Sequence, residues 1–176
     1  NLLHLLHEQK ADIAICTEKL VDDPKLVIKP CYRWHHVAIV LHGHPLNHGE
    51  INLERLANFP ILTYCQGFTG RSNLEKGFES AGIKLDVTLA AADSDVIKTY
   101  VRLGLGVGII AGTSVEPPID NDLAVHDLSQ WIPQSTTKFA YLKDSYLPSY
   151  ANYFIEQLLD ATRHKPFVDK IDLNHG

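Results

Sequence analysis

A tetrapeptide at residues 69–72, Thr-Gly-Arg-Ser, has the residue types of an anion-binding site. It follows the apolar run at 60–64 and precedes a helical apolar pattern, which is typical of a strand that leads into the N-terminus of a helix. The first backbone N–H groups of a helix have no partner within it, and the aligned peptide dipoles place about half a positive charge there. With Thr69 as the N-cap, the segment predicts a binding site for a small anion.

Arg71, in the first turn of this helix, has two interpretations. A cation at a helix N-terminus is mildly repelled by the dipole, which favours a side chain that faces something negative. The alternative is an ion pair with Glu75 one turn later, which is worth about 0.3 kcal/mol. The sequence leaves both interpretations open.

Two further patterns suggest binding chemistry but do not complete it. Gly104, Gly106 and Gly108 resemble a dinucleotide-binding loop, but here a helix precedes the glycines and a strand follows them, which is the reverse of the required order. His35 and His36 would point to opposite faces of a strand, and no spaced carboxylate or cysteine completes a metal-ligand set. We therefore expect neither a nucleotide cofactor nor a metal.

The sequence also lacks the patterns of nucleophilic catalysis. It contains no Gly-x-Ser-x-Gly motif and no pair of carboxylates at a recognisable spacing. Its three cysteines, Cys16, Cys31 and Cys65, are odd in number and have no Cys-x-x-Cys spacing, which indicates buried thiols. They would be candidate nucleophiles only beside an imidazole. We expect no catalytic residue and no enzyme.

Composition indicates an ordinary globular domain. The 176 residues are 45% hydrophobic and 21% charged, and the net charge of -5 argues against a phosphate-backbone contact by this segment. No apolar stretch approaches the roughly 20 residues of a membrane span, and the first residues lack the features of a signal peptide, so we expect a cytoplasmic protein. The sequence contains no methionine and opens within an amphipathic helical pattern, so we expect a fragment.

Predicted strands and helices alternate along the chain. Strands are predicted at 11–16, 26–28, 35–41, 60–64, 87–91, 107–111, 123–125 and 137–141, and helices near 2–9, 52–57, 70–82, 94–103 and 148–163. Asp93 or Ser94 can cap the fourth helix, and Gly82 and Gly104 are predicted helix ends. This alternation predicts right-handed crossovers and a mostly parallel sheet.

Six segments carry a resemblance to a known family. They are 11–18 (Ala-Asp-Ile-Ala-Ile-Cys-Thr-Glu), 31–34 (Cys-Tyr-Arg-Trp), 60–64 (Pro-Ile-Leu-Thr-Tyr), 67–72 (Gly-Phe-Thr-Gly-Arg-Ser), 93–108 (Asp-Ser-Asp-Val-Ile-Lys-Thr-Tyr-Val-Arg-Leu-Gly-Leu-Gly-Val-Gly) and 135–138 (Ser-Thr-Thr-Lys). Together they closely resemble the effector-binding domain of LysR-type transcriptional regulators, in particular those that control sulfur assimilation. The resemblance covers nearly the whole chain.

This resemblance implies an α/β fold of the type 2 periplasmic-binding-protein-like class, in which two crossing strands join two α/β subdomains. Subdomain I is then expected at residues 1–34 and 112–176, without its first strand and helix, and subdomain II at residues 35–111. The winged helix-turn-helix that binds DNA is expected to lie outside this sequence. The missing part of subdomain I would supply half of the pocket.

The resemblance also implies a binding site. Thr17, Trp34 and Thr69 match positions that contact a bound anion in related domains, and the backbone amides of Gly70 and Arg71 would complete a neutral cage. These groups suit an oxyanion, because hydroxyl, indole and amide groups can all donate hydrogen bonds to it. Without the resemblance, Thr17 would be a turn residue at a strand end and Trp34 a core aromatic.

The implied function is that of a ligand sensor. The expected effectors are sulfate, thiosulfate, O-acetylserine or N-acetylserine, and the expected assembly is a homo-oligomer, either a dimer or a tetramer. Contact with DNA is expected only through the N-terminal domain. The alternatives are a related regulator that responds to a sulfur-starvation signal such as adenosine phosphosulfate, an exported sulfate- or solute-binding protein, and, with least support, an enzyme.

Overall fold

The fold consists of two sheets with helices around them, in a computed structural model that describes residues 2–8, 10–17, 23–68, 70–143, 149–162 and 165–170. The strands are β1 (Ala14–Cys16), β2 (Leu26–Trp34), β3 (His36–Leu41), β4 (Ile61–Tyr64), β5 (Val87–Ala91), β6 (Val107–Ala111), β7 (Leu123–Asp127), β8 (Ser135–Leu142) and β9 (Val168–Lys170). The helices are α1 (Leu2–His7), α2 (Leu53–Ala57), α3 (Arg71–Ser80), α4 (Ser94–Arg102) and α5 (Ser149–Thr162), with short 3-10 turns at Pro45–Asn47 and Gly112–Ser114.

The strand pairings differ from the predicted mostly parallel sheet. The first sheet has the order β1-β8-β2-β9 and is antiparallel throughout its described pairings. The second has the order β5-β4-β6-β3-β7, in which β4 is parallel to β5 and β6 while β3 is antiparallel to β6 and β7. The prediction was wrong because, among the described strands, the connections through α3 and α4 join strands that run parallel, whereas α2 leads from β3 to β4, which are not neighbours in the sheet.

Two connections join the sheets. His35 alone separates β2 of the first sheet from β3 of the second, and residues 128–134 lead from β7 back to β8. Strand β7 belongs to the second sheet, because it pairs with β3 from Leu41↔Leu123 to Val37↔Asp127. The expected limits of the two subdomains stay a prediction.

The second sheet is buried on both faces. On β3, Val37 and Ile39 belong to one apolar cluster, and Ala38 and Val40 belong to another. Successive strand residues point to opposite faces, so the two clusters lie on the two sides of the sheet. Helix α4 contributes to the first cluster and α3 to the second. The continuous apolar run of β3 is typical of such a doubly covered strand.

Local signals at the helix ends agree with the structure, with one exception. Asp93 caps α4, because its Oδ1 accepts hydrogen bonds from the backbone N–H groups of Asp95 (2.7 Å) and Val96 (3.2 Å). Gly82 and Gly104 have φ of +69° and +74° at the ends of α3 and α4. The N-cap of α3, however, is Gly70 in the left-handed conformation, so the prediction of Thr69 as the N-cap was wrong. Thr69 itself lies outside the described residues.

The sequence prediction missed part of the first sheet. Strand β2 continues to Trp34 rather than ending at Ile28, because a bulge between Pro30 and Tyr32 accommodates the proline. Strand β9, which pairs with β2, is only 3 residues long and has no sequence signal of its own. No helix in the described part of the chain has the length and apolar character that crossing a bilayer requires.

Candidate functional site

A polar cleft of about 190 Å³ lies between α3 and the first sheet. Its lining residues come from the end of β1, the start of α3 and the start of β8: Thr17, Gly70, Ser72, Asn73, Lys76, Gln134, Thr136 and Lys138. Helical spacing places residues 72, 73 and 76 on one face of α3, and strand alternation places residues 136 and 138 on one face of β8. The cleft thus lies between strands of the first sheet and α3, the helix that packs on the second sheet.

Thr17 lies at the cleft, and Trp34 lies behind it. The Thr17 Oγ1 is 3.5 Å from the Thr137 Oγ1, and the Trp34 indole Nε1–H donates a 3.2 Å hydrogen bond to the same Thr137 oxygen. Trp34 is 1% exposed, so its indole is a core group that supports the wall. Sequence reasoning missed Thr137, although it is on the buried face of the alternating segment 135–138.

Gly70 forms a close contact between α3 and this wall. A Cβ atom at Gly70 would lie 2.6 Å from the Ser135 Oγ and 2.7 Å from the Trp34 Cη2. The φ of +69° at Gly70 is also strained for a residue with a side chain. Glycine is therefore required at the start of α3 for packing and for backbone conformation.

Arg71 does not contribute to the site in the expected way. Its backbone N–H donates to the Phe68 oxygen at 2.9 Å, so the amide is not free for a ligand. Its guanidinium Nη1 donates to the Tyr64 oxygen at 2.7 Å, and its Nε lies 3.1 Å from the Glu75 Oε1 as an ion pair without hydrogen-bond alignment. The Arg71 side chain is buried. Its contact with Glu75 confirms the alternative interpretation of an Arg71–Glu75 ion pair.

The prediction of an uncharged binding site is wrong for the described lining residues, because Lys76 and Lys138 both line the cleft. Neither lysine has an ion-pair partner among the residues that the structure describes. No carboxylate is among the described lining residues. The two signals that could have found these lysines are the helical spacing of Ser72 and Lys76 and the alternation of Thr136 and Lys138.

Polar contacts connect the cleft to the crossings between the sheets. The Asn73 Nδ2 donates to the Gln134 backbone oxygen and to the Ser135 Oγ, both at 3.1 Å, and so ties α3 to the start of β8. The Gln134 side-chain amide contacts the Asp169 carboxylate and lies 3.1 Å from the His35 Nε2. Gln134, which lines the cleft, therefore contacts both His35, in the first connection between the sheets, and Asp169 in β9.

His36 is a buried neutral group beside the cleft. It is 0% exposed, its ring centroid is 4.9 Å from that of Trp34, and its Cε1 lies 3.1 Å from a Cβ position at Gly70. Burial lowers its pKa from 6.5 to about 3, with a smaller contribution from His35. Neither ring nitrogen has a hydrogen-bond partner among the described residues. Across the described part of the chain, no three His, Cys, Asp or Glu side chains form a group that could hold a metal ion.

Sequence comparison places this fold and cleft in a family. Residues 1–163 match the LysR substrate binding domain. The chain is 45% identical over 148 residues to the HTH-type transcriptional regulator SsuR of Burkholderia cenocepacia, which covers 84% of this chain and 48% of that protein. It is 38% identical over 167 residues to the regulator CysB of the same organism, which covers 94% of this chain and 53% of that protein. The chain thus spans about half the length of these curated relatives.

Solved structures show the same fold. The cofactor-binding domain of the Cbl transcriptional regulator superposes with a TM-score of 0.81 at 39% identity, covering 88% of this chain and 68% of that one. A reduced form of OxyR from N. meningitidis superposes with a TM-score of 0.74 at 17% identity, covering 97% and 81%, which shows the fold alone. The predicted type 2 periplasmic-binding-protein-like fold is therefore confirmed. The chain belongs to the LysR family as a substrate-binding, or effector-binding, domain related to those of CysB, Cbl and SsuR.

Proposed function

We propose that this domain senses a small anion for a cytoplasmic regulator of sulfur assimilation and cysteine biosynthesis. The observation that carries the proposal is the polar cleft between the first sheet and α3. Its walls present hydroxyl, amide and ammonium groups, without a carboxylate among the described lining residues. Hydroxyl, amide and ammonium groups are the donors that an oxyanion requires. The similarity to CysB, Cbl and SsuR supports a role in sulfur metabolism.

The proposed ligands are sulfate, thiosulfate, O-acetylserine and N-acetylserine. Thr17 and Thr136 can donate from the first sheet, and Ser72 lies on the facing helix. Gly70 lines the cleft as well, and its backbone amide is a proposed contact. Thr69, which lies outside the described residues, and Trp34 stay predicted contacts, the latter through Thr137 or through water.

A ligand in this cleft can change the relation between the two walls. It shifts a conformational equilibrium only by binding one arrangement more tightly than the other, with a coupling free energy of typically 1–3 kcal/mol. We propose that this shift reaches promoter DNA through a winged helix-turn-helix domain outside this sequence. The proposed assembly is a homo-oligomer, as a dimer or a tetramer.

A second candidate is a sulfur-starvation regulator of the Cbl type. It is favoured by the 50% identity over 111 residues to the cbl regulator of Escherichia coli and by the superposition on the Cbl cofactor-binding domain. Such a regulator would respond to adenosine phosphosulfate instead of an acetylserine. The ligand that binds most tightly therefore distinguishes the two candidates.

Isothermal titration of the protein with sulfate, thiosulfate, O-acetylserine, N-acetylserine and adenosine phosphosulfate tests the proposal. We expect Thr17→Ala and Thr69→Ala to weaken binding of the preferred ligand roughly tenfold, because each removes a hydrogen bond to a charged group. The matched control is Thr88→Ala, since Thr88 is exposed on β5. Unchanged affinity in both cleft variants would contradict the assignment of the site.

A further inference from the structure

Residues 165–170, which we call the strap, lie across the first connection between the two sheets. Strand β9, within the strap, pairs with β2 of the first sheet. The Phe167 oxygen accepts a 3.1 Å hydrogen bond from the His35 backbone N–H, and the Lys165 ammonium donates to the Thr113 oxygen at 2.8 Å. Thr113 lies in the 3-10 turn that follows β6 of the second sheet. The strap is therefore attached to elements on both sides of the connection.

Packing fixes the position of the strap. Phe167 is partly buried against the apolar cluster that contains Trp34, and a Cβ atom at Gly112 would lie only 2.4 Å from the Phe167 Cβ. The φ of Phe167 is +62°, which is uncommon for a bulky side chain and persists only where the surrounding contacts hold it. The strap thus has a defined place in the fold and is able to position other groups.

The strap reaches the cleft through Asp169 and Gln134. The Gln134 amide nitrogen donates a hydrogen bond to the Asp169 carboxylate, and the Asp169 Oδ2 lies 3.2 Å from the His35 Nε2. Gln134 lines the cleft, and its backbone oxygen accepts a 3.1 Å hydrogen bond from the Asn73 Nδ2 on α3. A continuous series of contacts therefore runs from the strap, through a lining residue, to the helix on the other side of the cleft.

These contacts fix a lining side chain before a ligand binds. A glutamine side chain that is already held in place loses less conformational freedom on binding than a free one does. The Asp169 carboxylate accepts from one of the two N–H groups of the Gln134 amide, and so determines which way the amide faces. Asp169 is not among the described residues that line the cleft, so its route to the cleft is through Gln134.

We propose that Asp169 is a positioning residue for anion binding, because it holds Gln134, and through Gln134 the facing helix α3, in the arrangement that binds the anion. This inference rests on the proposed function and adds to it a residue of the strap, which lies beyond the residues 1–163 that match the family. The negative charge of Asp169 by itself would repel an anion. Electrostatics alone therefore predicts tighter binding when the carboxylate is removed, whereas positioning predicts weaker binding.

Isothermal titration with sulfate distinguishes these two outcomes. Asp169→Ala should weaken sulfate binding roughly fivefold, because it removes one hydrogen bond from the series. Asp169→Asn removes the same charge but keeps an oxygen that can accept from Gln134, so it should restore most of the affinity. Asp86→Ala is the matched control, because Asp86 is an exposed aspartate before β5 and should leave the affinity unchanged. Urea unfolding of each variant shows that it is folded.

A double-mutant cycle separates positioning from a general loss of structure. Gln134→Ala should also weaken sulfate binding, and the addition of Asp169→Ala should then have little further effect, because the two residues act as one unit. Additive effects, or an unchanged or tighter affinity in Asp169→Ala, would overturn the inference while the proposed anion site remained. If sulfate gives no heat of binding, N-acetylserine is the probe, and failure to bind either one would overturn the inference together with the proposed anion site.

Discussion

Lys98 and Asp120 form a buried salt bridge, with 2.7 Å between the Lys98 Nζ and the Asp120 Oδ2 and with each residue 4% exposed. The same carboxylate accepts a 2.9 Å hydrogen bond from the Arg102 Nη2 and another of 2.9 Å from the Glu116 backbone N–H. It therefore fastens the segment after β6 to α4, which packs on the second sheet. Burial alone would raise the pKa of Asp120, but the hydrogen bonds from Lys98, Glu116 and Arg102 lower it overall.

Removal of this carboxylate should destabilise the domain strongly. We expect Asp120→Ala to lower the free energy of unfolding by about 3 kcal/mol, because the buried Lys98 ammonium would keep only the 3.7 Å contact with the exposed Asp95. Urea unfolding followed by circular dichroism measures the loss. Asp122→Ala is the control, since Asp122 pairs with Arg102 at an exposed position and should cost much less. Equal losses in the two variants would contradict this account.

His36 should make stability depend on pH. Its folded pKa of about 3 is below the usual value of 6.5, so between these values the unfolded chain binds the additional proton. The stability that neutral His36 contributes is present above about pH 6.5 and is lost at about 1.4 kcal/mol per pH unit as the pH falls towards 3.

The corresponding variant is His36→Phe, which removes the titrating imidazole. Urea unfolding between pH 7.5 and about 4.5 should show a flatter dependence in this variant, with a residual slope from His126 and His44, whose pKa values burial also lowers. His48→Gln, at an exposed histidine, is the matched control. An identical slope in His36→Phe and the unsubstituted protein would rule out this role for His36.

Gly70→Ala should lower the free energy of unfolding by more than the backbone conformation at Gly70 explains. Gly70 and Gly82 both have a φ of +69°, but a Cβ at Gly70 would collide with Ser135 and Trp34. At Gly82, no atom of the residues that the structure describes lies within 4 Å of such a Cβ. We expect about 1 kcal/mol for Gly82→Ala and a further 1–3 kcal/mol for Gly70→Ala from overpacking. Thermal and urea unfolding of the two variants gives this difference directly. Similar losses of stability in the two variants would show that Ser135 and Trp34 can move to accommodate the added methyl group.

Thr137→Val should leave the Trp34 indole N–H buried without an acceptor. The expected loss of stability is about 1–3 kcal/mol, because a buried donor then bears its full desolvation cost. Unfolding followed by tryptophan fluorescence measures it, since Trp34 is one of only two tryptophans. Thr137→Ser keeps the hydroxyl and should recover most of the loss. A loss in Thr137→Ser as large as that in Thr137→Val would show that the methyl group, and not the hydrogen bond, is what matters.

The element boundaries were predictable where the signals are local. Asp93 caps α4 through amides two and three residues later, and the predicted strands 87–91 and 107–111 match β5 and β6 residue for residue. Such signals depend on contacts within one helical turn or on apolar runs, both of which are visible in a single sequence. The resemblance to the LysR family then supplied the fold class, which composition and periodicity alone left at an alternating α/β chain.

Long-range contacts decided the rest. No sequence spacing indicates that β7 returns to β3, or that the Arg71 guanidinium finds the Tyr64 carbonyl behind the helix start. The cleft also depends on long-range contacts. Lys76 and Lys138 are 62 positions apart in the sequence and line the same cleft only because α3 lies beside β8. The sequence by itself determined where the helices and most of the strands form, apart from β9 and the second half of β2. Only the tertiary structure decided which side chains share the cleft, because that depends on how the two sheets are joined.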